Sequence, residues 1–369
     1  MTIQIFGTVC IDKVRKIEEF PKALGTYTTV VEEQTFLGGE ASNTFVCLNE
    51  WMDKGSEYVR LLSTPIVNDL NGKTIMNKLK QSTDKTSDKN VIYTKIEGNT
   101  SSPSSLLSSS SPSSPPSLKC NIEYTPIVDI YVCNTKERTM FGIGFEQIDR
   151  YMIECKEIKE KILNVDLQFG PNHWISLDVN YPSINKEIIK KAIVTNTNLF
   201  LMDQELDSAV NELSKENTSI EHTSKLIFQS SSDHFGNKNG SIEGFFKIMN
   251  QWFQKENGIF KKFLFILTDS KNGFGVGGTW NDSWIEPYWF TPSIIPPDKI
   301  IDSTGAGDAF RAGLIFSLIH KNQSLSDSLE FASAVGGLNC LSFGGCSSTP
   351  SLNSINQFLK SNNKNQMFL

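Results

Sequence analysis

The chain has 369 residues, of which 38% are hydrophobic and 21% charged, and its formal net charge is −6 at pH 7. This length can hold one large core or two average domains, and the acidic balance argues against nucleic acid and against a membrane surface as partners. The seven cysteines never form a Cys-x-x-Cys pair, so we expect reduced thiols in a cytoplasmic protein rather than disulfides or zinc. The first residues lack the basic start of a signal peptide, and no run of eighteen apolar residues predicts a membrane helix.

The N-terminal segment alternates between apolar and polar residues up to Asp12, which predicts a first β-strand whose carboxyl end reaches a site. Residues 13–36 carry β-branched and aromatic residues between turn signals, a pattern that predicts small strands apart from the main core. The pair Gly38 and Gly39 precedes the stretch ASNTFVCLNEWM. This order predicts a helix that opens behind a glycine turn.

A serine- and proline-rich insertion interrupts the chain at residues 98–119. Its central stretch, residues 101–117, holds eleven serines and four prolines and has little to bury, so we predict a disordered insertion in a loop. Residues 122–145 then contain YTPIVDIYVCN, a TKER turn and TMFGIGF, which is typical of a β-hairpin. We expect this hairpin to complete the small sheet begun at residues 13–36.

From residue 173 onward, strand-like segments alternate with helical ones. The strand-like segments include HWISL, TNLFLM, KFLFILT and KII, the last of which is followed by a helix. Such alternation predicts a parallel sheet covered by helices on both faces, and these sheets bind ligands at the carboxyl ends of their strands. Five acidic residues are predicted to lie at such ends: Asp12, Asp178, Asp203, Asp269 and Asp302.

The stretch IIDSTGAGDAFRAG, residues 300–313, joins an apolar dipeptide to a predicted amphipathic helix, with Gly305 and Gly307 at the helix start. Free backbone N–H groups and the helix dipole make such a start an anion site, and glycine lets a phosphoryl group approach closely. Asp308 is kept ionised by the same dipole and could accept a proton from a substrate hydroxyl. An isolated Gly-x-Gly-Asp is also typical of an ordinary helix start, so the flanking residues must decide between that interpretation and a phosphate site.

Other phosphate-binding and hydrolytic motifs do not match the sequence when they are compared residue by residue. A dinucleotide fingerprint needs glycine where the chain has Phe310, and a P-loop ending at Gly72-Lys73-Thr74 needs glycine where it has Val67. The four histidines share no metal-ligand spacing, and no hydrolase elbow is present. These exclusions remove the alternative motifs but do not by themselves assign a function to the glycine turn.

Taken whole, DSTGAGDAFRAG resembles the C-terminal signature of the PfkB-type, or ribokinase-like, carbohydrate kinases, and LGGEASN, residues 37–43, resembles their N-terminal double-glycine segment. The likeness is greatest to the ketohexokinase branch, whose GGxASN segment is similar to GGEASN. The resemblance implies one kinase domain over residues 1–369, with a three-layer α/β/α fold and a mainly parallel central sheet. It also implies a small β-sheet lid, formed by strands from about 13–36 and 122–145.

The resemblance further implies three groups of site residues. The sugar-binding group is Asp12, Gly38, Gly39, Glu40 and Asn43. The ATP-binding group is Arg138, Thr268, Asp269, Ser270, Lys271 and Gly273. The catalytic group is an anion hole made of Gly305, Ala306 and Gly307, with Asp308 as the base.

The implied cofactors are ATP and Mg²⁺, because in-line phosphoryl transfer needs positioning and charge neutralisation. The metal would be held chiefly by ATP and water, with a water-mediated contact to Glu205. A K⁺ requirement and a homodimer through the lid stay open. The expected partners are a small sugar and ATP, without nucleic acid or membrane.

Three positions depart from the family pattern. Glu40 stands where ketohexokinases have Asn and puts a charge beside the sugar, Phe45 replaces a small residue, and Met202 replaces the Asn of an Asn-x-x-Glu motif. The predicted activity is ATP-dependent phosphorylation of a hydroxyl of a small sugar, with a ketohexose, fructose, favoured. The alternatives are a nucleoside or ribose kinase of the same fold, and a regulatory protein that binds sugar or nucleotide with weak catalysis.

Overall fold

The computed structural model describes residues 1–23, 25–53, 58–83, 90–96, 122, 124–134, 138–203, 224–232, 241–254, 263–293, 295–362 and 364. The insertion predicted at residues 98–119 and the metal contact predicted for Glu205 lie outside this part of the chain. In the described part, no helix is long and apolar enough to cross a membrane.

A nine-stranded sheet forms the centre of the protein. Its strands are β1 Thr2–Gly7, β4 Val59–Ser63, β6 Val91–Ile92, β10 His173–Leu177, β11 Asn198–Met202, β12 Leu226–Ser231, β13 Phe263–Thr268, β14 Phe274–Trp280 and β15 Ser283–Phe290. They lie in the order β15-β14-β13-β12-β11-β10-β1-β4-β6. The pairs from β13 through β6 are parallel, and the pairs β13–β14 and β14–β15 are antiparallel.

Helices cover both faces of this sheet. Their bounds are α1 Glu40–Trp51, α2 Leu70–Thr83, α3 Phe145–Glu154, α4 Lys156–Lys161, α5 Pro182–Val194, α6 Ser241–Gln254, α7 Ala306–Leu314, α8 Leu325–Asn339 and α9 Leu352–Ser361. Successive residues of β1 point to opposite faces, so Ile5 packs in one buried cluster with α1, α7, α8 and α9, and Phe6 packs in another with α3, α5 and α6. The predicted three-layer α/β fold is therefore confirmed.

A separate four-stranded sheet, called the small sheet below, consists of β2 Cys10–Ile17, β3 Val30–Gly38, β8 Ile127–Val132 and β9 Arg138–Ile143, in the order β3-β2-β8-β9. Strands β5 Ile66–Val67 and β7 Lys95–Ile96 form a further short pair. Arg15 of β2 ties the small sheet together, because it bonds Glu33 of β3 at 2.7 Å and Asp129 of β8 at 2.6 Å. The expectation of a small sheet separate from the main core is confirmed.

The structure corrects two predicted strand ends. Strand β1 ends at Gly7, and Asp12 lies within β2 of the small sheet, because the alternating pattern continues through the turn between the two strands. KII is not a strand, since the backbone N–H of Ile301 donates to the carbonyl oxygen of Cys340 at the end of α8 rather than to a sheet neighbour. Asp302 therefore does not follow a strand.

Three strands of the main sheet were missed by the sequence pattern. They are β4, β6 and β12. Strand β12 is flanked by polar stretches, yet it pairs with β11 and β13 near the middle of the sheet.

Candidate active site

The glycine turn, residues 305–308, opens α7. Gly305 precedes the helix with φ of 73°, and a Cβ atom there would lie 2.4 Å from the carbonyl oxygen of Gly345, so only glycine fits. The N–H of Ala309 donates to the carbonyl oxygen of Gly305 as the first bond of the helix. The N–H of Ala306 donates to the carbonyl oxygen of Ser303 at 3.3 Å, whereas the N–H groups of Gly307 and Asp308 have no acceptor within the helix and are suited to an anion.

Asp308 is 5% exposed and lies in the first turn of α7. Its Oδ2 atom accepts a hydrogen bond from Asn43 Nδ2 at 2.8 Å, and Arg311 Nη2 lies 3.7 Å from Oδ1. Burial raises the pKa of Asp308 to about 6; Arg311 and Asn43 oppose this rise, and the charges of Asp178 and Asp203 add to it. A carboxylate with this pKa is suited to act as a general base near neutral pH.

Arg311, in the last turn of α7, joins this helix to the start of α1. Its side chain is fully buried, Nε donates to Thr44 Oγ1 at 2.9 Å, and Nη2 donates to the carbonyl oxygen of Glu40 at 2.6 Å. Sequence reasoning did not select Arg311 or Thr44 as site residues. A signal was present, because a single arginine stands within the apolar run AFRAGLIF.

Asp12 reaches the same region from the small sheet. It is 4% exposed, and Cys10 Sγ donates to its Oδ1 atom at 3.5 Å. Burial raises the pKa of Asp12 to about 7, with the charges of Asp308 and Asp302 adding to the effect. Gly38 makes room for this carboxyl group, since a Cβ atom there would lie 2.0 Å from Asp12 Oδ1.

Glu40, the first residue of α1, lies beside a second carboxyl group, that of Asp178. Asn180 Nδ2 donates to Glu40 Oε1 at 3.3 Å, and the backbone N–H of Asn180 donates to Asp178 Oδ1 at 3.1 Å. Burial, followed by the charges of Asp178 and Asp308, raises the pKa of Glu40 well above its ordinary value. The preceding Gly39 has φ of 101°, and a Cβ atom there would lie 2.3 Å from the carbonyl oxygen of Thr8.

Arg138, at the start of β9, connects the small sheet to the glycine turn. Its Nη1 atom donates to Thr304 Oγ1 at 2.9 Å, one residue before Gly305. Asp302 holds this segment, because its Oδ1 accepts from the N–H of Thr304 at 2.9 Å and its Oδ2 accepts from the N–H of Gly344 at 3.0 Å. The structure therefore brings the predicted ATP contact Arg138 next to the predicted anion hole.

The other predicted ATP contacts form a loop after β13. Residues 268–273 turn tightly, with φ of 45° at Ser270 and 102° at Gly273, and the N–H of Asp269 donates to the carbonyl oxygen of Gly273 at 2.8 Å. Ser232 Oγ donates to Asp269 Oδ1 at 2.7 Å, and Thr268 Oγ1 donates to the carbonyl oxygen of Ser230 at 3.1 Å. These bonds fix the loop to β12 at the carboxyl edge of the sheet.

Gln229 of β12 is a polar residue that sequence reasoning missed. It is 2% exposed, and its Nε2 atom donates to the carbonyl oxygen of Gly307 at 3.2 Å. Its Oε1 atom is buried without a hydrogen-bond partner among the residues that the structure describes. Gln229 pairs in register with Met202 of β11, the residue that replaces the Asn of the Asn-x-x-Glu motif. The Gln229 side chain therefore provides an amide next to the position where Met202 has none. The signal was a glutamine directly after the apolar residues LIF.

Asp203, directly after β11, adds a carboxyl group to this edge. It adopts φ of 49°, and its Oδ1 atom accepts from Ser230 Oγ at 2.8 Å and from the N–H of Ser231 at 2.9 Å. Within the described ranges, no group of three or more His, Cys, Asp or Glu side chains could hold a metal directly.

Comparison with known proteins identifies the family of this chain. Residues 288–352 match the model of the pfkB family carbohydrate kinases. The chain is 76% identical over 370 residues to a Dictyostelium discoideum protein described as an uncharacterized sugar kinase, covering 100% of both chains. It is also 44% identical to Mus musculus ketohexokinase over 45 residues, 12% of this chain and 15% of that protein. The chain belongs to the PfkB family of carbohydrate kinases.

A solved structure shares the fold. The ribokinase of Arabidopsis thaliana, in a complex with ribose and ATP, matches with a TM-score of 0.63 and 17% identity over 97% of this chain and 98% of that chain. The fold is therefore ribokinase-like, as the sequence resemblance predicted.

Proposed function

We propose that this protein transfers the γ-phosphoryl group of ATP to a hydroxyl of a small sugar, with fructose as the favoured acceptor. The hydrogen bond between Asn43 and Asp308 carries this proposal, because it joins two motifs 265 residues apart at a helix start suited to an anion. The local likeness to a ketohexokinase supports fructose, and the ribokinase complex with ATP supports the donor.

In the proposed mechanism, Asp308 is the general base. Its Oδ1 atom is buried and has no hydrogen-bond partner in the described part of the chain, whereas Oδ2 is held by Asn43. Oδ1 would accept the proton of the acceptor hydroxyl as that oxygen attacks the γ-phosphorus. The glycine turn, with Arg138 beside it, would stabilise the negative charge of the transferring group.

The residues near the glycine turn fit a hydrated Mg²⁺ ion. When bound, Mg²⁺ neutralises charge on the phosphates of ATP. Gln229 Oε1 is a buried oxygen that has no donor among the described residues, and Asp203 lies at the end of the neighbouring strand. Both would accept hydrogen bonds from water in the metal's shell, a mode of holding that suits Mg²⁺. The water-mediated contact of Glu205 stays a prediction, as does a K⁺ requirement.

The small sheet is the proposed lid. It supplies Asp12 from β2 and Arg138 from β9, and a cover over the site would exclude water that hydrolyses ATP. Its outer strands leave apolar side chains exposed, with Val31 at 55%, Met140 at 53% and Phe141 at 58%. Exposed apolar side chains on the two edge strands of this sheet support a homodimer through the lid.

The decisive experiment is a panel of acceptors assayed with Mg-ATP by ADP release. The panel contains fructose, ribose, adenosine and glucose, with Asp308→Asn as the inactive reference. We expect acceptor-dependent ADP release by the natural protein, highest with fructose. Higher kcat/KM for ribose or adenosine would replace the proposed acceptor, and ATP binding without turnover on any acceptor would support the regulatory alternative.

The acceptor reaction should lose activity in acid. Asp308 and Asp12 must be ionised to accept a proton and to bind hydroxyls, and their pKa values are raised to about 6 and about 7. kcat/KM therefore should rise from pH 5 to pH 8 and then level off, since this ratio reports the ionisations of the free enzyme. The pH profile of kcat/KM for the residual activity of Asp12→Asn should show only the ionisation near pH 6. A kcat/KM that is flat between pH 5 and pH 8 would contradict both roles.

Gln229→Leu should raise the Mg²⁺ concentration that gives half-maximal activity by about tenfold, a typical loss when a group that orients metal ligands is removed. The change keeps side-chain size but removes Oε1, which has no donor among the described residues, together with the hydrogen bond from Nε2 to the Gly307 carbonyl oxygen. Calorimetric titration of Mg-ATP into the acceptor-free protein supplies a readout that does not depend on turnover. Gln323→Leu, a change at an exposed residue after α7, is the matched control. An unaltered Mg²⁺ requirement and Mg-ATP affinity would remove Gln229 from the metal site.

A further inference from the structure

Glu40 introduces an acidic side chain at the acceptor end of the site, where several carboxyl groups already converge. The charges of Asp178, Asp308 and Asp203 all raise the pKa of Glu40, which places these groups within electrostatic reach of it. The fully buried Arg311 offsets part of this charge, but two of its donors are occupied by Thr44 and by the Glu40 carbonyl. Where these carboxyl groups are ionised, a ligand entering here therefore meets a predominantly negative field.

The two carboxyl oxygens of Glu40 differ in their partners. Oε1 accepts from Asn180, whose backbone is fixed by Asp178. Oε2 is shielded from solvent and has no hydrogen-bond partner within the described part of the chain. An acceptor oxygen that is removed from water without a donor is destabilised, so a bound molecule that supplies a donor is favoured.

We propose that Glu40 selects the acceptor by charge: its Oε2 atom accepts a hydrogen bond from a hydroxyl of an uncharged sugar, and the field of Glu40, Asp178 and Asp308 excludes sugars that carry a carboxylate or a phosphate. This inference rests on the proposed function and narrows its substrate class to neutral polyols. Like charges placed together in a binding site oppose association strongly, which is a common way to reject a wrong partner.

The test compares two probes of similar size and different charge. Fructose is uncharged, and fructuronate has a carboxylate in place of the terminal hydroxymethyl group. Dissociation constants are measured by calorimetry without ATP at pH 8.5, because burial and the neighbouring carboxylates raise the pKa of Glu40. We expect the natural protein to bind fructose at least about 100-fold more tightly than fructuronate, as like-charge repulsion predicts.

Glu40→Gln should reduce this preference to about tenfold or less, since it removes one charge at almost constant shape. Glu40→Asp keeps the charge and should keep the preference, even where its affinity for both sugars falls. Glu243→Gln, at an exposed residue on α6, is the control and should match the natural protein. Circular dichroism and melting temperatures establish that each variant is folded.

Two results would overturn the inference: equal affinity of the natural protein for the two sugars, or an unchanged preference in a folded Glu40→Gln variant. Neither depends on turnover. Failure of the kinase assay with every acceptor would instead count against the proposed function. The binding measurements would still test the role of Glu40, because they do not require turnover.

Discussion

Asp308→Asn is expected to lower kcat by about 10²–10⁴ and to leave the KM for ATP nearly unchanged, because an amide cannot accept the proton of the acceptor hydroxyl. Asparagine keeps the size of the side chain, and its Oδ1 atom can still accept from Asn43. Steady-state kinetics with the best acceptor measure the effect. The control is Asp327→Asn, which alters the first-turn aspartate of α8 at a position away from the candidate site.

A stability measurement distinguishes this loss from misfolding. The folded-state pKa of Asp308 is raised from 3.8 to about 6, so the folded protein binds a proton more tightly than the unfolded chain does. Ionised Asp308 therefore opposes folding, by an amount that grows between about pH 4 and pH 6 and then stays constant. The asparagine variant should gain stability relative to the natural protein as the pH rises from 4 to 8. Equal turnover by both proteins would remove Asp308 from the mechanism.

Arg311→Met is expected to lower the free energy of unfolding by about 3–5 kcal/mol, the range found when one member of a buried ion pair is removed. The change leaves Asp308 without the guanidinium group at 3.7 Å and the Glu40 carbonyl oxygen without its donor at 2.6 Å. It also removes a charge that lowers the pKa of Asp308, so the acid limb of kcat/KM should move to higher pH. Urea unfolding and pH profiles measure the two effects.

The control for this variant is Arg150→Met on α3. Arg150 pairs with Glu146 at 2.7 Å, but its side chain is 61% exposed, and such surface pairs contribute at most about 1 kcal/mol. If the two variants were equally stable, the buried network around Arg311 would not hold α1 and α7 together.

The sequence was sufficient where a local pattern determines the structure. The glycine turn and the double-glycine segment predicted the helix starts at Gly305 and Gly39, and the hairpin pattern predicted β8 and β9. These features depend on backbone conformations that few residues adopt, or on the period of apolar residues, and both can be recognised locally.

The rest depends on contacts between elements far apart in the chain. Gly305 must be glycine because Gly345 lies against it, and Arg311 is buried because Thr44 and Glu40 accept its hydrogens. Asp12 was assigned to the wrong strand because an alternating pattern does not show where one sheet ends and another begins. Gln229 became a candidate only when the order of strands placed β12 beside β11 and Gly307 against its amide.

The contacts between α1 and α7 also bear on how the protein folds. The hydrogen bonds that join Asn43 to Asp308, Thr44 to Arg311 and Glu40 to Arg311 span 265, 267 and 271 residues. Contacts of such high sequence separation form slowly, because the entropy of closing a long loop is lost before they contribute. A chain emerging from the ribosome exposes its double-glycine segment long before α7 is made. The base and the amide that holds it therefore meet only after nearly the whole chain has been synthesised, so catalytic competence is acquired late in folding.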